Sequence, residues 1–132
     1  MKKWHGSLLI CDDMSFTLTG KVDLRGVYTS DISIPSAGIP ISQLVAYVFV
    51  EGDLSELPTT TVQVEVSVPG APPSTLSFPP HVPPGLPGRT SWFLRTPLLI
   101  QHIRLQPGKI VGTVRHGDAA LTLHGPWVVV TS

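Results

Sequence analysis

The sequence predicts an all-β protein, a single antiparallel β-sandwich of about eight to nine strands that takes up residues 1–132. Three observations carry this. Fourteen prolines and twelve glycines, set against only 14% charged residues, break the chain too often for long amphipathic helices. In "TVQVEVSV", Val62, Val64, Val66 and Val68 alternate with Gln63, Glu65 and Ser67, the period of a strand with one face on a core and the other in water. Finally, Pro107-Gly108, Gly117-Asp118 and Gly125-Pro126 punctuate the last third at the spacing of a meandering sheet.

The first element is the apolar run Leu8, Leu9, Ile10 and Cys11, too short for a signal-peptide core or a bilayer span, and Asp12 and Asp13 close it. "KVDLRGVY" alternates again, with Val22, Leu24 and Tyr28 on one side and Lys21, Asp23 and Arg25 on the other. "LVAYVFVEGD" differs, because residues 44–50 are apolar at every position and a strand made from them needs cover on both faces. Residues 61–68 give the next strand. From 69 to 88 the chain carries eight prolines around a short "STLSF", which predicts a proline-rich loop of extended character along a sheet edge, with an edge strand inside it. "TPLLIQHIRLQ", "IVGTVRHGD", "AALTLHG" and "PWVVVTS" supply the last strands, with Trp4 and Trp127 tying down the two ends.

Along "LLICDD", "GKVDLRGVY" and "SDISIP" the chain resembles an uncharacterised family of small bacterial and phage-associated proteins, a domain of unknown function. In that family an apolar strand ending in Cys-Asp-Asp is followed by Gly-Lys, a Leu-x-Gly-Val-Tyr strand and an Asp-Ile-x-Val-Pro-like segment. The resemblance covers residues 8–35 and implies a β-sandwich with no established activity; the insert at 69–88 departs from it.

Composition excludes some function classes. Nine basic and nine acidic side chains cancel, so net charge points neither to nucleic acid nor to an anionic membrane. The distribution is uneven, with eight acids and four bases in residues 1–65 and one acid and five bases in residues 66–132. One cysteine allows no internal disulfide, and with no secretory core the expected setting is the cytoplasm.

Five carboxylates near turns, Asp12, Asp13, Asp31, Asp53 and Asp118, are the candidates for a calcium site at one end of a sandwich. Against this, aspartate is common in turns because its side chain bonds the nearby backbone, and no Asp-x-Asp spacing with a distal acid occurs. His102, His116 and His124 lie on late strands that pairing could bring together for zinc, but no H-x-x-x-H spacing is present. No G-x-S-x-G elbow and no glycine-rich strand-to-helix cradle is found. Trp92 and Phe93 between Arg89 and Arg95 make the one cluster of aromatic and basic residues, either a nucleic-acid contact or an anchor that closes the proline-rich loop onto the core.

The reading these observations support is a non-enzymatic protein-interaction or assembly module, needing no cofactor and no metal, that meets a protein partner or another copy of itself. Its expected interaction residues are Val45, Tyr47, Phe49, Phe78, Trp92 and Phe93. The competing cover for residues 44–50 is the chain's own loop, with Leu76, Phe78 and Trp92 folded over the strand. The rival functions are a calcium- or lipid-binding C2-like sandwich and a hydrolase whose site is assembled across strands.

Overall fold

A computed structural model describes residues 4–80, 85 and 87–131. Its elements are β1 (His5–Cys11), β2 (Asp13–Phe16), β3 (Val22–Arg25), β4 (Ile32–Ile34), β5 (Ile39–Asp53), a 3-10 turn (Leu54–Glu56), β6 (Val62–Ser67), β7 (Ser74–Phe78), β8 (Ser91–Leu105), β9 (Gly108–His116) and β10 (Ala119–Val130). The protein is therefore all-β, as the turn-rich composition predicts, with ten strands among the described residues rather than eight or nine.

The strands form a three-stranded sheet of order β1-β5-β8, a five-stranded sheet of order β4-β10-β9-β6-β7, and the small β2-β3 hairpin. Every pairing is antiparallel except β4 with β10, which is parallel. The two larger sheets close on one core. Leu8, Ile10, Leu44, Ala46, Val48, Leu98 and Ile100 from the first meet Val62, Val64, Val66, Ile110, Val114, Leu123 and Val128 from the second. The valines of "TVQVEVSV" are the inward set of β6, while Gln63 and Ser67 are exposed.

Two departures from the sequence reading follow from where strands bend. "AALTLHG" and "PWVVV" are one strand, β10, because Gly125 and Pro126 form a bulge between His124 and Trp127 instead of a turn. Pro107-Gly108 does not close a hairpin either, since β8 lies in the three-stranded sheet and β9 in the five-stranded one. The last third is thus one crossing between layers, from β8 to β9, followed by one hairpin, β9-β10.

Prolines sit where a ladder can spare a donor. Pro97 lies inside β8, an edge strand of the three-stranded sheet, and "STLSF" forms an edge of the five-stranded sheet as β7, paired to β6 from Val62↔Phe78 to Val66↔Ser74. Upstream of β7, Pro69 and Gly70 are tied to the end of β8 by Gln106 N–H to Pro69 O (3.1 Å) and Arg104 N–H to Gly70 O (3.3 Å). The expected loop at 69–88 is in this part strand and docked turn; residues 81–84 and 86 lie outside the described residues, His81 with them.

Candidate binding surfaces

Residues 44–50 divide by strand parity as expected. Leu44, Ala46, Val48 and Val50 enter the core, and Val45, Tyr47 and Phe49 point to the outer face of the three-stranded sheet. Ladder neighbours cover much of that second set. Val45 lies between Cys11 and Leu99, and Tyr47 between Leu9 and Pro97, so Tyr47 is only 7% exposed. Phe49 meets the Tyr47 ring edge-on at 4.7 Å. At the margins the cover runs out: Phe93 is 56% exposed and Leu99 54%.

Arg95 stands over this margin, its guanidinium 4.7 Å from the Phe93 ring centre and 5.6 Å from that of Phe49. His5, Glu51, Phe49, Phe93 and Arg95 line a concavity of about 320 Å³ at the same end of the face. The face is thus an apolar band across three strands that ends in one acid, one base and two rings.

Two of the expected interaction residues are elsewhere. Trp92 is buried in the core, against Trp4 at 4.6 Å and nearly perpendicular, because it follows Ser91 on the inward parity of β8 while Phe93 takes the outward one. Phe78 sits opposite Val62 on β7 and packs on the core. Neither folds over the outer face, so the contact expected of them is corrected to a core role. Trp4 donates its indole N–H to Glu56 O (2.9 Å) and stacks on His116 at 5.3 Å.

The carboxylates are dispersed. Asp12 and Asp13 mark a kink between β1 and β2, where Asp12 N–H bonds Arg25 O. Asp12 accepts the Tyr28 hydroxyl (3.1 Å), and Asp13 accepts Met14 N–H (2.8 Å) and Arg25 Nη2 (2.6 Å). The Asp13–Arg25 pair follows from register, since the two residues face each other across the β2-β3 ladder. That hydrogen bond from Arg25, with the one from Met14, holds the Asp13 carboxyl below its ordinary range. Burial raises the Tyr28 hydroxyl, and the Asp12 charge adds to it. Asp31 accepts Trp127 N–H (3.3 Å), Asp53 precedes the 3-10 turn, and Asp118 sits in the β9-β10 turn. Among the described residues no three of His, Cys, Asp or Glu gather as metal ligands.

The three late histidines also part company. His102 occupies a left-handed backbone position (φ 56°) on β8, His116 stacks on Trp4, and His124 accepts a hydrogen bond from Lys109 Nζ at Nδ1 (2.8 Å). Cys11 is fully buried, and desolvation pushes its thiol up, which disfavours the thiolate a nucleophile needs. Among the described residues no helix is long and apolar enough to cross a membrane.

Sequence reasoning missed the surroundings of His124. Lys109, His124 and Trp127 meet only because the Gly125-Pro126 bulge resets the parity of β10, and the visible signal was the Gly-Pro step itself. No protein-family profile, curated protein or solved structure matches the chain.

Proposed function

We propose that the protein is an interaction module that pairs with a second copy of itself through the outer face of the β1-β5-β8 sheet. The observation that carries this reading is the apolar surface of Phe93 and Leu99, both more than half exposed, with the half-buried Leu9 and Phe49 between them and the buried Val45 and Tyr47 as its floor. Apolar area of this kind gains about 25 cal/mol for each Å² removed from water.

Charge supports a second copy as the occupant. The face carries both Glu51 and Arg95, so a two-fold contact sets the acid of each copy against the base of the other, and the surface complements itself. The concavity beside them is lined by Phe49 and Phe93 and accepts an apolar side chain of the facing copy. No reacting group and no cofactor is part of this reading.

Sedimentation velocity over about two decades of micromolar concentration tests it. The expected result is a shift from 14.2 kDa toward twice that mass. Phe93→Glu and Leu99→Glu, both at exposed positions, should each hold the protein at 14.2 kDa without lowering its melting temperature. Wild-type protein that stays at 14.2 kDa throughout refutes the proposal.

A further inference from the structure

On the other sheet, the β10 bulge places a large indole beside a polar cleft. Along β10 the inward residues are Leu121, Leu123 and then Val128; His124 is outward by ordinary alternation, and the extra residue at Gly125-Pro126 turns Trp127 outward as well. Trp127 is 51% exposed, and its backbone N–H is held by Asp31 Oδ1 at 3.3 Å. Lys109, its ladder partner on β9, stands 5.8 Å from the indole centre and also bonds His124. The backbone of Trp127 is thus held by Asp31 and its ring lies near the Lys109 ammonium, while about half of the residue stays open to solvent.

A cleft of about 210 Å³ is lined by Leu8, Tyr28, Thr29, Ser30, Asp31, His124 and the Gly125-Pro126 bulge; Trp127 is the next residue along the chain and is joined to the lining by its backbone bond to Asp31 and, through Lys109, to His124. Its donors and acceptors can be assigned. A lysine ammonium only donates, so His124 Nδ1 accepts from Lys109, and the tautomer this requires carries its proton on Nε2, a donor on a residue of the cleft lining. Asp31 has Oδ1 engaged by Trp127 and Oδ2 left to accept. The hydroxyls of Thr29 and Ser30 do either.

We infer that Trp127, with His124 and Asp31, forms a binding site for a neutral saccharide. A sugar ring offers a face of weakly positive C–H groups, which suits the negative face of an exposed indole, and a rim of hydroxyls that each need a donor and an acceptor. The cleft supplies both. A phosphate or carboxylate would meet Lys109 and His124 but would also face the Asp31 carboxylate, so the charge pattern selects a neutral polar ligand over an anion. The site shares no residue with the exposed self-association surface of Phe93 and Leu99, so neither reading depends on the other.

The test uses the full chain, labelled with nitrogen-15, and follows the three indole N–H signals while cellohexaose, maltohexaose and chitohexaose are added in turn. Trp4 and Trp92 are buried, so the exposed Trp127 signal reports on the site. The expected result is a saturating shift of the Trp127 signal with one of the three, at a Kd of about 0.1–1 mM. His124→Ala and Asp31→Asn should each weaken that binding by about tenfold or more. Calorimetry on Trp127→Ala, at an exposed position that leaves the fold intact, should show no binding. No shift with any of the three at about 10 mM overturns the inference. So does unchanged affinity in Trp127→Ala, or a shift produced by inorganic phosphate instead.

Discussion

Gly70→Ala should be among the most damaging single-methyl additions to this chain. Gly70 sits at φ 94°, a region L-residues avoid, and a Cβ there would fall on the Arg104 carbonyl group. The conformation alone costs an alanine about 1–2 kcal/mol. The clash is with backbone, so Pro69-Gly70 must move off β8, which strains the hydrogen bonds from Arg104 N–H and Gln106 N–H, each worth about 0.5–1.5 kcal/mol. Reduced freedom in the unfolded chain returns about 0.4–1 kcal/mol. The expected net loss is about 2–4 kcal/mol. Gly117→Ala is the matched control: φ is also positive, at 59°, but nothing lies within 4 Å of the added carbon, so only the conformational part applies and the loss is about 1 kcal/mol. Urea unfolding followed by tryptophan fluorescence measures both, with slopes equal to wild type. If the two variants lie within about 0.5 kcal/mol of each other, the close packing of Pro69-Gly70 on β8 is not what makes residue 70 a glycine.

Other consequences can be checked separately. Asp13 has its carboxyl depressed by Arg25, so its contribution to stability is complete above the unfolded value of about 3.9 and is lost as pH falls through the lower folded value. A carbon-detected NMR titration should find its midpoint below that of an ordinary aspartate, and Arg25→Gln should raise it; an unchanged midpoint removes the ion pair from the account. Cys11, fully buried and with its thiol raised by desolvation, should ignore Ellman's reagent in native buffer and react only as fast as the protein opens. Labelling as quick as that of a small free thiol would contradict the burial. The exposed glutamate substitutions at Phe93 and Leu99 and the saccharide titration at Trp127 complete the set.

Much of the fold was legible because local pattern and tertiary role agree. The four valines of β6 alternate in sequence as they do in space, and the punctuating glycine at 117 does turn a hairpin. Where a strand carries a bulge or changes layer, legibility fails. Gly125-Pro126 reads as a turn but is a bulge in an unbroken strand, and Pro107-Gly108 reads as a hairpin but is a crossing between sheets. Trp92 and Phe93 are adjacent in "SWF" and looked like one cluster. Strand parity sends one into the core and the other to the surface.

By itself the sequence determined the class of structure and most of its strands, because side-chain period and the missing donors of proline act over a few residues and need no partner. It also determined that residues 44–50 need cover on both faces. Which face met the core, and what met the other, was decided only by the tertiary structure. Burial of Tyr47 depends on Leu9 and Pro97 lying beside it, and the meeting of Lys109 with His124 and Trp127 depends on ladder register and on one extra residue at a bulge. Register is a property of pairs of strands far apart in the chain, and a one-residue change in it moves every later side chain to the opposite face.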